Sequence, residues 1–242
     1  MLTEELEVNG TTYLVKIRYE RRHSTRAYVG RNAISIRIPS FLSPEERLSQ
    51  LTKMKEWARE KLESSPDRFK AKADKGYKDG DLVSLNGKEY RLGIYLKERK
   101  TSSARIIDNS INVTIPTSLT KKKRSKTICM LISRCIGKTN LLKLKDKISE
   151  LNKRHFNRPI NNIRFKYTNS SWGSCSKKGN INISTRLLLA PEDVLEYVCI
   201  HELAHLVEYN HSRRFWSLVE RAIPDYKEKR EWLKKNGHKC VF

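Results

Sequence analysis

The first half of the chain contains an internal repeat, and this repeat restricts the possible folds more than any other feature. Residues 8–40 align without gaps with residues 85–117, and ten of the 33 aligned pairs are identical. Both copies contain an Asn-Gly dipeptide, at 9–10 and at 86–87, which is typical of hairpins because both residues tolerate positive φ. In each copy isoleucine and valine then alternate with polar residues, as in a half-buried strand. Each copy is therefore predicted to form a small antiparallel β unit that ends at a proline.

A helical pattern follows each of the two β units. After the first unit, Ser43 and Pro44 form a helix start, and apolar residues continue at helical spacing as far as Leu62. After the second unit, residues 120–154 show the same periodicity, with Gly137 as the position of a possible interruption. Two β units with two helices predict a tandem duplication.

Residues 201–211 read His-Glu-Leu-Ala-His-Leu-Val-Glu-Tyr-Asn-His, which is the strongest motif in the chain. His201 and His205 are four residues apart, so on a helix both imidazoles leave the same face. Neutral imidazole is a preferred ligand of Zn²⁺. Glu202 lies beside the first histidine, where it can take a proton from a zinc-activated water. The spacing therefore predicts a metal site on a helix.

Two residues compete for the position of third ligand. On an unbroken helix Glu208 lies close to the face of His201 and His205, whereas His211 is rotated away. If the helix stops near Asn210, the chain can fold back and bring His211 to the metal. The spacing leaves both alternatives open, although an Asn at the presumed helix end favours His211.

The motifs around the histidines resemble those of the YgjP-like zinc metallopeptidase domains, relatives of the SprT and WLM proteases with the zincin fold. The resemblance rests on Ser171-Trp172-Gly173-Ser174-Cys175-Ser176, on Gly179-Asn180-Ile181-Asn182 and on HELAHLVEYNHSRRFWSLV from residue 201. It is strong over about residues 160–236 and weaker upstream. It implies that His201, His205 and His211 hold one Zn²⁺ ion, that Glu202 is the general base, and that the substrate is a polypeptide. It also implies an open fourth coordination position.

Repeat and resemblance together predict an α+β chain. Duplicated β-rich units with helices would occupy residues 1–118, with copies at about 5–62 and 82–118. Residues 119–242 would hold a basic helix and a zincin-like minimal metallopeptidase domain, in which a small antiparallel sheet packs on the active-site helix.

The segment between the basic helix and the histidine motif contains the predicted substrate-binding residues. Residues 180–184 alternate as a strand, and in zincin-like folds an edge strand beside the active helix receives the substrate backbone. Asn180, Asn182 and Trp172 are therefore predicted to contact substrate. The alternative is that residues 180–184 form an ordinary interior strand.

Three residues are candidates for stabilising the oxyanion that peptide hydrolysis produces: Tyr209, Tyr226 and Asn182. The sequence does not choose among them. Cys175 is a possible further ligand because thiolate binds zinc, but a fourth protein ligand would close the site. A small packed residue is the preferred interpretation of Cys175.

Positive charge is concentrated in the middle of the chain. The sequence has 50 Lys+Arg against 27 Asp+Glu, a formal charge of +23, and residues 118–158 alone hold 13 basic and 2 acidic residues. The stretch Lys121, Lys122, Lys123, Arg124 and Lys126 is predicted either to be a solvated helix surface or to contact nucleic-acid phosphates without reading bases. Two alternative functions follow: a nucleic-acid-associated protein with structural zinc, or a protease that acts on DNA-bound proteins.

The cysteines and the N-terminus indicate a cytoplasmic protein. Five cysteines without a CxxC pair argue against a disulfide framework. The first residues carry no basic and apolar signal pattern, and no run of about 18 apolar residues predicts a membrane span.

Overall fold

The computed structural model describes residues 2–30, 33–64, 76–85 and 87–242. Its strands are β1 (Leu2–Val8), β2 (Thr11–Glu20), β3 (Arg26–Val29), β4 (Ala33–Pro39), β5 (Leu82–Leu85), β6 (Lys88–Lys97), β7 (Ser103–Ile107), β8 (Ser110–Pro116), β9 (Asn162–Lys166), β10 (Gly173–Cys175) and β11 (Asn180–Ser184). Its helices are α1 (Pro44–Ser64), α2 (Lys121–Thr139), α3 (Leu141–His155), α4 (Glu192–Ala204), α5 (Arg213–Ala222) and α6 (Tyr226–Asn236), with a 3-10 helix at Thr185–Leu189. This mixture confirms the predicted α+β class. None of the described helices is long and apolar enough to cross a lipid bilayer.

The chain forms two compact units, Met1–Ala73 and Asp74–Phe242. The first unit contains a four-stranded sheet with the order β1-β2-β4-β3. Strands β1 and β2 form an antiparallel hairpin, in which Asn9 and Gly10 have φ angles of 49° and 71°. Strand β4 pairs antiparallel with β3 but parallel with β2. The prediction of a purely antiparallel unit is wrong here, because β4 returns from the edge strand β3 and inserts beside β2.

Helix α1 covers one face of this sheet. Its start is a capping box, in which the backbone N–H of Ser43 donates to Glu46 Oε2 at 2.8 Å and the N–H of Glu46 donates to Ser43 Oγ at 3.2 Å. The core between helix and sheet is aliphatic and includes Ile34, Ile36, Ile38, Leu51, Ala58 and Leu62. The other face of the sheet carries the alternate, outward-pointing residues.

The second unit begins with a sheet of the same topology, in the order β5-β6-β8-β7. Strands β6 and β8 are again parallel, so the antiparallel prediction fails in this copy too. Gly87 has a φ of 76°, while Asn86 lies outside the described residues. This sheet packs on α2 through a core that includes Ile111, Val113, Ile115, Ile128, Ile132 and Ile136. The division into compact units thus falls after Ala73, and the division of function at residue 118 stays a prediction.

The helical region after β8 is interrupted at Asn140 and not at Gly137. Asn140 has φ −97° and ψ 0°, and its Nδ2 donates to the carbonyl of Ile136 at 2.9 Å. Gly137 lies inside α2, where a β-carbon would come within 2.8 Å of Thr185 Cγ2 and 3.2 Å of Phe165 Cβ. The glycine thus permits close packing and does not end the helix.

The third sheet has the order β10-β11-β9 and packs beside α4. Strand β10 pairs antiparallel with β11, but β9 pairs parallel with it, so the predicted antiparallel sheet is in fact mixed. Strand β11 lies in the middle of this sheet and is hydrogen-bonded on both sides. The prediction that residues 180–184 form an edge strand open to strand addition is therefore wrong. Strand β10 lies at an edge of this sheet instead.

Candidate metal centre

Helix α4 carries the first part of the histidine motif and ends earlier than expected. It starts after Pro191, with Glu192 in its first turn, where a carboxylate complements the positive end of the helix dipole. It ends at Ala204, not near Asn210, and the backbone N–H of Glu208 donates to the carbonyl of Ala204 at 2.9 Å. The chain then turns back, so the residues after α4 can approach its last turn.

Three histidines converge where the chain turns back. His201 lies in the last turn of α4, His205 is its C-cap residue, and His211 lies in the following loop. Each offers one ring nitrogen, and these nitrogens all lie within 4.8 Å of one another. The Nε2 atoms of His201 and His211 are 3.0 Å apart. The structure thus brings together the three residues that the sequence singles out.

The backbone near Glu208 orients one of these rings. His205 Nδ1 lies 3.1 Å from the carbonyl oxygen of Glu208, and protonated Nδ1 donates to this acceptor. The lone pair of His205 is then on Nε2, and a hydrogen bond of this kind is the usual way in which a metal-binding histidine is held. Glu208, the competing third-ligand candidate, contributes its backbone carbonyl to this arrangement.

Burial keeps the imidazoles of His201 and His205 neutral, which is the form that binds a metal cation. Burial, followed by the neighbouring His205 and His211, lowers the pKa of His201 to about 3, and burial also lowers the pKa of His205. Neutral imidazoles keep the lone pair that a metal needs. Two ligands at tetrahedral angles on one zinc ion lie ~3.4 Å apart, which is within the range of separations in this cluster. The three residues therefore fit one divalent cation.

Aromatic side chains of α5 support the three imidazoles. Ser212 Oγ accepts a hydrogen bond from the N–H of Phe215 at 3.3 Å and so caps this helix. The Phe215 ring is fully buried, with its centroid 4.5 to 4.9 Å from those of the three histidines. Trp216 stacks on His211 at 5.8 Å. These rings lie against the histidine cluster and fix its orientation.

Glu202 points from α4 towards strand β10. Its side chain is 5% exposed, and burial raises its pKa to about 8. A β-carbon on Gly173 would lie 2.5 Å from Glu202 Oε1 and 2.7 Å from its Cγ. The glutamate therefore occupies space that only a glycine at residue 173 leaves free, a contact that the sequence does not reveal.

Cys175 lies near this carboxyl group but outside the ligand cluster. Burial, and then the charge of Glu202, raise the pKa of the Cys175 thiol to about 11, so it stays protonated near neutral pH. Its S–H donates to the carbonyl of Ser176 at 3.6 Å. Among the described residues, the group able to hold a metal consists of the three histidines.

The predicted substrate residues Asn180 and Asn182 lie on the central strand β11. Asn182 Nδ2 donates to Ser174 Oγ at 3.0 Å, and Asn180 Oδ1 accepts from Asn161 Nδ2 at 3.0 Å. Both amides are thus used within the sheet and its loops. Strand β10, which lies beside α4, has the position at the sheet edge that was expected for β11.

Trp172, the third predicted substrate residue, packs against Arg186. The guanidinium carbon of Arg186 lies 4.2 Å from the centroid of the Trp172 ring. Arg186 is 6% exposed and donates to the carbonyls of Gly237 at 2.7 Å and of Cys240 at 2.8 Å. The sequence analysis does not identify Arg186 as buried. The one indication in the sequence is its position next to the apolar run Leu187 to Leu189.

Two of the oxyanion candidates are tyrosines in different environments. Tyr226 is 7% exposed and stacks on Trp216 at 5.4 Å. Tyr209 is 52% exposed, with Lys177 Nζ 5.9 Å from its ring centroid. Since Asn182 and Tyr226 are engaged by neighbouring side chains, Tyr209 is the candidate with the more accessible side chain.

The basic stretch forms the start of α2. Lys121, Lys122, Lys123 and Lys126 are exposed. Arg124 instead binds the preceding turn: its Nε donates to the carbonyl of Leu119 at 2.7 Å, and its Nη2 donates to that of Thr117 at 2.5 Å. Four of the five residues are therefore accessible to a polyanion, whereas Arg124 is used internally.

Comparison with known proteins identifies one matching family and two solved structures with sequence similarity to part of this chain. The family described as "YgjP-like, metallopeptidase domain" matches residues 4–236. The crystal structure of the metallopeptidase zymogen abylysin from Pyrococcus abyssi is 31% identical, over 37% of this chain and 92% of that one, with a TM-score of 0.34. The zymogen jannalysin from Methanocaldococcus jannaschii is 23% identical, over 36% and 89%, with a TM-score of 0.32. No match was found among curated proteins.

Proposed function

Because the chain belongs to the family of YgjP-like metallopeptidase domains, we propose that it is a zinc-dependent peptidase with His201, His205 and His211 as ligands of one zinc ion. The convergence of three ring nitrogens within 4.8 Å is the observation that carries this proposal. Three histidine ligands leave the fourth tetrahedral position open, as in catalytic zinc sites. The five cysteines are free thiols, in keeping with a reducing compartment such as the cytoplasm.

Glu202 is the proposed general base. Its raised pKa of about 8 is that of a carboxyl group suited to exchange protons near neutral pH. It accepts one proton from the attacking water and delivers that proton to the nitrogen of the scissile bond as the bond breaks. A bound zinc ion would polarise the peptide carbonyl and favour the charged form of the neighbouring carboxyl group.

The substrate is proposed to be an extended polypeptide that pairs with the edge of β10 facing away from β11, which has no strand partner among the described residues. An edge strand offers unpaired backbone groups to a further strand. Gly173 begins β10 and contacts Glu202, so a peptide on this edge would pass close to the general base. Tyr209 is the proposed partner of the oxyanion, because its ring is exposed.

Hydrolysis of a denatured, fluorescently quenched protein tests this function. Activity should disappear when a chelator removes the metal and return when Zn²⁺ is added in equimolar amount. The variant His211→Ala should be inactive and bind less zinc. The control His23→Ala removes an exposed histidine that is distant in sequence from the motif, and it should match the wild type. Activity that persists without metal, or in His211→Ala, would contradict the proposal.

Contact with nucleic-acid phosphates is a second candidate function, with two forms: a protein in which zinc is structural, or a protease that acts on DNA-bound proteins. The exposed lysines at the start of α2 favour it. The first turn of α2 has no acidic residue. Because cations at a helix N-terminus interact unfavourably with the helix dipole, these lysines destabilise α2. Replacing Lys121, Lys122 and Lys123 by Gln should weaken DNA binding and flatten its salt dependence; unchanged binding would refute this contact.

A further inference from the structure

The outward face of the first sheet carries three arginines in one row. Arg18 on β2 is paired in register with Arg37 on β4, and Arg37 is paired with Arg26 on β3. All three are exposed, on the face opposite to α1. Since neighbouring strands are about 4.8 Å apart, the three α-carbons span roughly 10 Å. We call these residues the arginine row.

An aromatic ring lies beside the arginine row. Tyr28 follows Arg26 on the same face of β3, two residues further along, and its side chain is 71% exposed. A shallow surface cavity of about 260 Å³ is lined by residues that include Arg22, Arg26, Tyr28 and Arg37. The row in register with Tyr28 also includes Lys16 on β2, which adds a further cation to the same face.

The topology itself does not require the arginine row. The second sheet has the same strand order and the same strand registers as the first. The internal repeat aligns each of the three arginines with a residue of the second sheet. The corresponding row there is Tyr95, Thr114 and Ser103. An uncharged row therefore occupies the equivalent positions of the same architecture in this chain.

The arginines also act against the stability of the sheet. Like charges directly opposite one another on neighbouring strands repel. Glu20 compensates in part, since its Oε2 lies 3.9 Å from Arg37 Nη1 and 4.0 Å from Arg22 Nη1. One carboxylate shared between two guanidinium groups leaves the arginine row with excess positive charge, which a polyanion would neutralise. The other acidic residues of this face, Glu5 and Glu7, lie on β1 opposite Leu14 and Thr12.

We propose that this face of the first sheet binds single-stranded nucleic acid. Guanidinium groups match phosphate oxygens in a bidentate manner, and the row presents three of them across adjacent strands. The exposed Tyr28 ring provides a platform on which a base can stack, and the combination of a basic surface with aromatic platforms is typical of proteins that bind single strands. An acidic polypeptide would satisfy the arginines but would not use the tyrosine ring.

Binding of a labelled thymidine oligonucleotide of about 15 nucleotides to the full chain, measured by fluorescence anisotropy, tests this site. The test variant combines Arg18→Tyr, Arg26→Ser and Arg37→Thr, the residues of the equivalent row in the second sheet. The matched control combines Lys53→Gln, Arg59→Gln and Lys61→Gln on α1, which removes the same charge from the other face of the same unit. A second variant, Tyr28→Ala, removes the stacking platform alone.

The test variant should bind about tenfold or more weakly near 50 mM salt, and its salt slope should fall by about 2, in line with three lost phosphate contacts. Tyr28→Ala should also lose about tenfold, but with an unchanged slope. The control should lose much less than either. Equal losses in control and test variant, wild-type affinity in Tyr28→Ala, or displacement of the oligonucleotide by polyglutamate at equal charge concentration would overturn the proposal.

Discussion

Glu202 packs its carboxyl group against the α-carbon of Gly173, so closely that a β-carbon at residue 173 would come within 2.5 Å of Oε1. The two residues lie on different elements, α4 and β10, whose packing therefore sets the position of the carboxyl group. The glycine of the Trp-Gly-Ser-Cys sequence thus has a steric role beside the proposed general base.

Gly173→Ala should displace the carboxyl group of Glu202 and leave the histidines in place. A misplacement of about 1 Å at a reacting group costs on the order of 10²-fold in rate, so kcat should fall by about that factor while zinc content stays at the wild-type level. Steady-state kinetics and metal analysis of the same preparation test this. Ser174→Ala, the adjacent exposed position on β10, is the matched control and should keep most activity. Full activity of Gly173→Ala would refute the steric role.

Metal removal should destabilise the protein without unfolding it. The core beside the histidines includes the fully buried Ile181, Ile183 and Phe215, so this region does not depend on a metal for its apolar burial. Zinc present at about 1,000 times its Kd should add about 4 kcal/mol to the free energy of unfolding. Thermal melts followed by circular dichroism, with chelator and with Zn²⁺, should show two folded states with different Tm. Loss of secondary structure on chelation would favour the structural-zinc alternative.

Stability near α4 should depend on pH through two carboxyl groups. Hydrogen bonds from Lys229 lower the pKa of Asp193, and those from Lys147 lower the pKa of Glu192, with Nζ–O distances of 2.6 Å and 2.8 Å. A lowered pKa gives stability that is present above the ordinary value of about 4 and is lost as the pH falls through the lowered one.

Because both carboxylates are exposed, Asp193→Asn should cost only about 0.2–1 kcal/mol at pH 7. The difference from wild type should vanish in acid, below the lowered pKa. Urea unfolding at several pH values measures it, with Glu98→Gln as the control, because Glu98 is an exposed carboxylate in the loop after β6. A difference that grows on acidification would contradict the assigned ion pair.

The parts of the fold that depend on nearby residues were predictable from sequence. The cap of α1 by Ser43 and the helical position of His201 and Glu202 follow from the sequence, because capping and helical spacing depend on residues close together in the chain. Alternation of isoleucines correctly assigned the buried faces of β4 and β8, but alternation contains no information about strand direction. The parallel β2–β4 pair and the central position of β11 depend on partners distant in sequence, so they were missed.

The sequence predicts which residues form the candidate site, but not the surrounding contacts that position them. The motif predicts the three histidines, whereas the end of α4 at Ala204 depends on how the following turn packs. It lies about six residues before the end that the sequence predicts. The contact between Gly173 and Glu202 joins residues 29 positions apart, and no periodicity links them. Arg186 resembles a surface arginine in sequence, and only the structure shows that it is 6% exposed and bound to two backbone carbonyls.

Arg186→Lys should destabilise the second unit more than most single substitutions. Lysine keeps the charge but loses the planar group that stacks on Trp172 and donates to the carbonyls of Gly237 and Cys240. Leaving these buried acceptors unsatisfied should cost about 2–4 kcal/mol. Chemical denaturation measures the change, and Arg164→Lys on β9, where the arginine is exposed, is the control. Equal stability of the two variants would contradict a structural role for Arg186.

The most direct measurement compares Glu202→Gln with the wild type for zinc content and for hydrolysis of a denatured protein. The substitution retains the size of the side chain but removes its capacity to accept a proton. Both proteins should contain one zinc ion per chain, and the variant should lose at least about 10²-fold in rate. A variant that binds zinc and hydrolyses the substrate as fast as the wild type would contradict the central claim.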